Sequence, residues 1–166
     1  GRIEIGGTDA AALSPDALRR CFAWAPQDAV LLSGTVRDNL LLADPGCDDA
    51  RMWGALHDAA LDERIQALGG LDSWVGENGA RLSGGERRRL SLARADCADA
   101  PWLLLDEPSE GRDAATEEGI ADRLCRRLDR TGQGLLLVSH RPAMTAVCAR
   151  HLELGDGTGI APGLAA

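Results

Sequence analysis

The stretch W-L-L-L-D-E-P (residues 102–108) joins four consecutive apolar residues to two carboxylates and a proline. A run that is apolar at every position is typical of a parallel-sheet strand, because both faces of such a strand are buried. We therefore expect residues 102–105 to form a strand of this kind. Asp106 and Glu107 then leave it at its carboxyl end.

A second apolar run, residues 135–138, ends in Ser139 and His140. Residues 113–129, between the two runs, have a helical pattern, and this spacing is what a parallel strand-helix-strand crossover needs. Open α/β sheets bind ligands at the carboxyl edge of their strands. The sequence thus predicts an α/β fold with Asp106, Glu107 and His140 at one such edge.

The stretch R-L-S-G-G-E-R-R-R-L (residues 81–90) predicts a second candidate site, which would bind an anion at the start of a helix. Ser83, Gly84 and Gly85 precede a helix predicted to run to residue 95, and Glu86 completes a capping-box pattern with Ser83. Backbone N–H groups at such a helix start attract anions. The pattern G-x-x-x-x-G-K-[ST], which supplies a lysine to a bound nucleotide, is nowhere in the chain.

Three further segments complete the predicted organisation. Residues 2–5 and 21–25 are candidate strands, the second of which is followed by Pro26 and Gln27. Residues 49–68 have helical periodicity, as one helix or two, and end at a glycine pair.

Length and composition restrict the class of protein. The 166 residues correspond to one domain, and the net charge of −8 argues against a nucleic-acid partner. No apolar run approaches the roughly 20 residues of a membrane span. The five cysteines are odd in number and widely spaced, so we expect reduced thiols without a redox or metal-binding role.

The residues at the sheet edge allow two interpretations each. Asp106 is placed to hold Mg²⁺ and Glu107 to polarise an attacking water, although both could simply cap the loop before Pro108. His140 could contact a phosphate or the water, or it could be a half-buried structural histidine. Gln27 could reach the metal or the water but carries little information alone.

Taken together, these segments resemble the ATP-binding-cassette (ABC) ATPase family over residues 1–154. Gln27 matches the Q-loop, residues 82–86 match the signature, and residues 103–107 match the Walker B strand. Asp113 matches the D-loop aspartate and His140 the switch histidine. The resemblance implies a P-loop NTPase-like ABC core with a helical signature subdomain at about residues 40–95. We expect residues 155–166 to form a loosely ordered tail.

The family resemblance also implies the role of each site residue. Glu107, His140 and Gln27 would be catalytic, and Asp106 and Gln27 would hold Mg²⁺. Two such domains pair head to tail, so Ser83, Gly84, Gly85 and Glu86 would contact the ATP of the partner, and Asp113 would link the two sites. The cofactors implied are ATP and Mg²⁺.

The Walker A loop of the family has no match in this chain, which begins at Gly1. We therefore expect a core that is incomplete at its N-terminus and a fragment that does not hydrolyse ATP alone. In the family the strand before Walker A lies inside the sheet, so we also expect an unpaired apolar edge and poor solubility.

Two stretches favour the exporter branch of the family. Residues 30–40 (V-L-L-S-G-T-V-R-D-N-L) resemble the segment that faces the transmembrane part, and residues 74–79 (W-V-G-E-N-G) resemble a segment preceding the signature. G-G-E-R-R-R-L and D-E-P-S-E-G are similar to CydC-type subunits of thiol-reductant exporters. This implies export of cysteine or glutathione for cytochrome bd assembly, at the cytoplasmic face of the bacterial inner membrane.

Two alternatives stay open at this point. One is a non-transport ABC module, and the other is an exporter subunit with a naturally degenerate site. Three departures from the family pattern stand out: Glu86 replaces a glutamine, Arg112 replaces a leucine, and Asp96 puts polarity where relatives continue an apolar helix.

Overall fold

A computed structural model of the chain describes residues 1–108, 114–154 and 160–163. Its strands are β1 (Glu4–Ile5), β2 (Thr8–Asp9), β3 (Phe22–Ala25), β4 (Gly34–Thr35), β5 (Trp74–Gly76), β6 (Trp102–Asp106), β7 (Gly134–Val138), β8 (His151–Leu154) and β9 (Ile160–Gly163). Its helices are α1 (Pro15–Arg20), α2 (Val36–Leu41), α3 (Asp49–Asp58), α4 (Asp62–Leu68), α5 (Gly84–Cys97), α6 (Ala114–Thr131) and α7 (Pro142–Thr145).

The central sheet has the order β3-β6-β7, and both strand pairs are parallel. Ala25 lies opposite Leu105, which lies opposite Leu137, so the three strands end close to one another. The predicted strand-helix-strand crossover is confirmed, with α6 as its helix. The chain segments that follow the three strands therefore share one carboxyl edge.

One face of this sheet is covered by helices. Ala23, Leu103 and Leu105 point to this side and belong to the same buried core as Leu90 of α5 and Ile120 of α6. Leu103, Leu105, Leu90 and Ile120 are completely buried. The helices thus fix the sheet from one side.

The opposite face does not match our prediction of burial on both sides. Trp24, Leu104 and Leu136 are aligned across the three strands, and we call them the open face. Trp24 is 59% exposed and Leu136 is 54% exposed, while Leu104 is half-buried. The expectation was wrong because the helices packed on the strands lie on the other side.

The segment predicted as one helix or two forms two, α3 and α4. The break falls at Ala60, which has a positive φ of 54°, and α4 ends at Gly69 with φ 110°. The short helix α2 and the antiparallel pair β4-β5 were not predicted. Within the described ranges, no helix has the length and apolar character needed to cross a membrane.

The ends of the chain add two small antiparallel pairs. The predicted strand at residues 2–5 is shorter than expected and pairs with β2. Part of the segment for which we predict loose order forms β9, which pairs with β8. The described cysteines are free thiols, in agreement with their spacing.

Candidate functional site

Glu107 follows β6 and turns the backbone sharply at the carboxyl edge of the sheet. Its φ is 46°, in the left-handed region that residues with a Cβ rarely adopt. Its N–H donates to the carbonyl of Val138 at the end of β7, at 2.9 Å. This bond ties the turn to the neighbouring strand, which lets the strained backbone persist.

Among the described residues, three donors hold the carboxylate of Glu107. Nδ1 of His140 lies 2.8 Å from Oε1, the backbone N–H of His140 donates to Oε1 at 3.2 Å, and the Ser139 hydroxyl donates to Oε2 at 3.3 Å. The Glu107 side chain is 13% exposed and that of His140 is 69% exposed. The carboxylate is thus oriented from one side by a histidine that solvent reaches.

Asp106 ends strand β6, and Gln27 follows the neighbouring strand β3. Asp106 is the last residue of β6, is half-buried and pairs in register with Val138. Gln27 comes two residues after β3 and is exposed, and its carbonyl accepts a hydrogen bond from Nε of Arg88 at 3.2 Å. The structure therefore brings the ends of all three predicted catalytic segments to one edge.

The side chains at this edge fit Mg²⁺ better than a metal held by protein alone. Among the described residues, no three His, Cys, Asp or Glu side chains are grouped as a metal site. Mg²⁺ is commonly held by one or two carboxylates together with substrate phosphates and water. Asp106 supplies a carboxylate and Gln27 an amide oxygen, which are hard donors of this type.

The signature segment lies at the start of α5, where its capping box is confirmed. Oγ of Ser83 accepts the backbone N–H of Glu86 at 3.2 Å, and Oε2 of Glu86 accepts the N–H of Ser83 at 2.7 Å. Ser83 and Gly84 are exposed. The described side-chain partners of the Glu86 carboxylate are Ser83 and Arg64 of α4, whereas those of the Glu107 carboxylate are Ser139 and His140, which follow β7.

Several residues at these sites were not identified from the sequence. Ser139 was noted only as a neighbour of His140, although it donates to Glu107. Arg64 contacts Glu86 from 22 residues earlier in the chain, and no local pattern points to it. Asp113, predicted to link the two ATP sites, lies outside the described residues, as does Arg112.

Comparison with known proteins accounts for this arrangement. Residues 1–110 match the protein family described as ABC transporter. The chain belongs to the ABC transporter family. A solved structure of a bacterial Atm1-family ABC exporter with ATP bound superposes on this chain with a TM-score of 0.84 at 34% identity. The superposition covers 95% of this chain and 27% of the exporter chain. The α/β fold is therefore that of an ABC ATPase core.

Curated members of the family extend the comparison. The glutathione/L-cysteine transport system ATP-binding/permease protein CydC of Escherichia coli K12 is 44% identical over 141 residues, which are 85% of this chain and 24% of the relative. The mycobactin import ATP-binding/permease protein IrtB of Mycolicibacterium smegmatis is 40% identical over 158 residues, which are 95% of this chain and 27% of the relative. The chain spans about a quarter of the length of these curated relatives.

Proposed function

We propose that this chain hydrolyses ATP as part of a membrane transporter, with Glu107 as the general base. The main support is the carboxylate of Glu107, which hydrogen bonds from His140 and Ser139 orient at the sheet edge. An oriented carboxylate can accept the proton of a water that attacks a terminal phosphate. Membership of the ABC transporter family supports ATP as the nucleotide.

The remaining residues of the sheet edge would act on the same phosphate. Asp106 and Gln27 would hold Mg²⁺, which when bound neutralises charge on the phosphate oxygens. Nδ1 of His140 faces Glu107, so the exposed ring would meet the terminal phosphate through Nε2, which donates as well only when both ring nitrogens carry a proton. These groups favour the attack by position and charge.

A second ATPase domain would complete the site. The exposed N-terminus of α5, at Ser83, Gly84 and Gly85, would bind the terminal phosphate of ATP held by a partner domain arranged head to tail. The family resemblance assigns Asp113 to the contact between the two sites.

The transmembrane part of the transporter would contact an exposed apolar segment. Val30 is 65% exposed and Leu32 is 50% exposed, and both follow Gln27 in the chain. The carbonyl of Val30 accepts a hydrogen bond from the guanidinium of Arg94 in α5 at 3.0 Å, which links this segment to the signature helix. The chain would thus lie at the cytoplasmic face of a bacterial inner membrane.

The transported substrate that we propose is a thiol, cysteine or glutathione, exported for cytochrome bd assembly. Support comes from the signature and Walker B residues that resemble CydC-type subunits and from the 44% identity to the glutathione/L-cysteine transport protein. The relatives named for other cargo share the ATPase domain at lower identity.

ATP hydrolysis by the full-length gene product tests the first part of this proposal. We expect Mg²⁺-dependent turnover that Glu107→Gln lowers by roughly 10²-fold or more. The 166 residues alone should not turn over ATP, because they hold no phosphate-cradling lysine loop. Turnover that survives Glu107→Gln would refute the role of Glu107.

Inverted membrane vesicles that contain the full-length protein test the substrate. We expect ATP-dependent uptake of labelled cysteine or glutathione, and no uptake by the Glu107→Gln variant. Active ATPase without thiol uptake would refute thiol export and leave the ATPase assignment standing.

A further inference from the structure

Glu86 places a negative charge at the start of the signature helix. Its Oε2 accepts the N–H of Ser83 at 2.7 Å, and the side chain is 16% exposed. A carboxylate at a helix N-terminus is stabilised by the helix dipole. The same helix end, however, is where the proposed function puts a phosphate.

Arg64 of α4 approaches the other oxygen of this carboxylate. Its Nε donates to Oε1 of Glu86 at 2.9 Å, and the Arg64 side chain is 43% exposed. Although burial opposes it, the Ser83 N–H and Arg64 lower the pKa of Glu86 below its ordinary value. Glu86 is therefore ionised at neutral pH, and Arg64 is the cation that balances it.

The ion pair between Arg64 and Glu86 matters for the binding of an anion at the N-terminus of α5. A partly exposed ion pair contributes little to folding stability by itself. The Ser83 N–H is already bonded to Glu86, so an anion at this helix end would bind the N–H groups of Gly84 and Gly85. It would lie within a few ångströms of the Glu86 carboxylate, and like charges at such a distance repel. A neighbouring guanidinium reduces this repulsion.

We propose that Arg64 is a positioning residue of the signature loop, which balances the charge of Glu86 so that the loop accepts a terminal phosphate from the partner domain. The inference rests on the proposed function and adds a residue from α4 to it. In this proposal Arg64 affects the nucleotide only through Glu86.

The test is the ATP dependence of hydrolysis by the full-length gene product. Arg64→Gln keeps a polar side chain of similar reach but removes the charge, and we expect it to raise KM for ATP by roughly 2- to 5-fold. Saturated kcat should stay within about 2-fold of wild type. Arg64→Lys should keep KM near the wild-type value, because the positive charge remains.

The decisive variant is Arg64→Gln combined with Glu86→Gln. The second substitution removes the uncompensated charge while its amide oxygen can still accept the Ser83 N–H, so KM should return to within about 2-fold of wild type. Arg126→Gln is the matched control, because Arg126 is exposed and pairs only loosely with Asp122, at 4.0 Å. It should leave KM unchanged.

Three outcomes would overturn the inference. They are an unchanged KM in Arg64→Gln, a raised KM that Glu86→Gln does not reverse, and an equal rise in the Arg126→Gln control. If the wild-type protein shows no Glu107-dependent ATPase, it is the proposed function that fails.

Discussion

Asp96 is a buried carboxylate whose charge state differs between the folded and unfolded chain. Its side chain is 3% exposed, and Oδ1 lies 2.9 Å from Nε of Arg127. Burial raises the pKa of Asp96 to about 7, against the lowering effect of Arg127, and Asp58 and Arg130 have smaller opposing effects. An unfolded Asp has a pKa near 3.9.

This difference predicts how stability changes with pH. Between about pH 4 and pH 7 the folded chain binds more protons at Asp96 than the unfolded chain, so the free energy of unfolding should fall as pH rises. Above pH 7 this contribution is constant. In Asp96→Asn the free energy of unfolding, measured by urea denaturation, should fall less between pH 5 and pH 8 than in the wild-type protein.

The control for this measurement is Asp16→Asn, because Asp16 is 79% exposed and pairs with Arg19 on the surface. It should keep the wild-type slope. A slope that Asp96→Asn leaves unchanged would contradict the assignment. Arg127→Met should lower stability at pH 8 by about 3–5 kcal/mol, because it leaves a buried carboxylate alone.

Single residues also show where sequence reasoning stops. That Glu107 and His140 lie together could be predicted because each follows an apolar strand, and parallel strands bring such residues to one edge. Asp96 stood out only as a departure from the family pattern. Its partner Arg127 is 31 positions away on another helix, and helix packing decides that contact.

At the scale of elements, α2 depends on Thr35, the residue that caps its N-terminus. Oγ1 of Thr35 accepts the N–H of Asp38 at 3.0 Å, and the Thr35 N–H donates to the Asp38 carboxylate at 2.8 Å. We expect Thr35→Ala to lower the free energy of unfolding by about 1 kcal/mol in chemical denaturation. Thr35→Ser should keep most of it, and an equal loss in both variants would point to the methyl group instead.

The elements that could be predicted are those with a long pattern. The parallel strands and α5 follow from apolar runs and a capping box. Helix α2 was missed because it has only 6 residues, too few for a helical period to show. Burial of β6 on both faces was wrong because an apolar run does not report which faces neighbouring elements cover.

For the whole molecule, the open face predicts self-association. Trp24 and Leu136 expose aligned apolar surface, and among the described strands β7 pairs only with β6. We expect Leu136→Thr to reduce association in light scattering while it changes stability by less than about 1 kcal/mol. Leu137→Thr, on the covered face, should destabilise the fold without improving its behaviour.

If Leu136→Thr associates as strongly as the wild-type protein, self-association does not involve the open face. If Leu136→Thr unfolds the protein, the open face is covered in solution. The three strands, their shared edge and the family could be predicted from the sequence. The open face could not, since it depends on the number of layers that pack on the sheet.

The left-handed backbone of Glu107 has a consequence for directed evolution. Glycine or asparagine would adopt a φ of 46° with less strain, of the order of 1 kcal/mol. A library selected only for heat resistance should therefore enrich replacements at position 107 that remove the proposed base. Selection for stability alone would discard catalysis at this position, so the two traits have to be scored together.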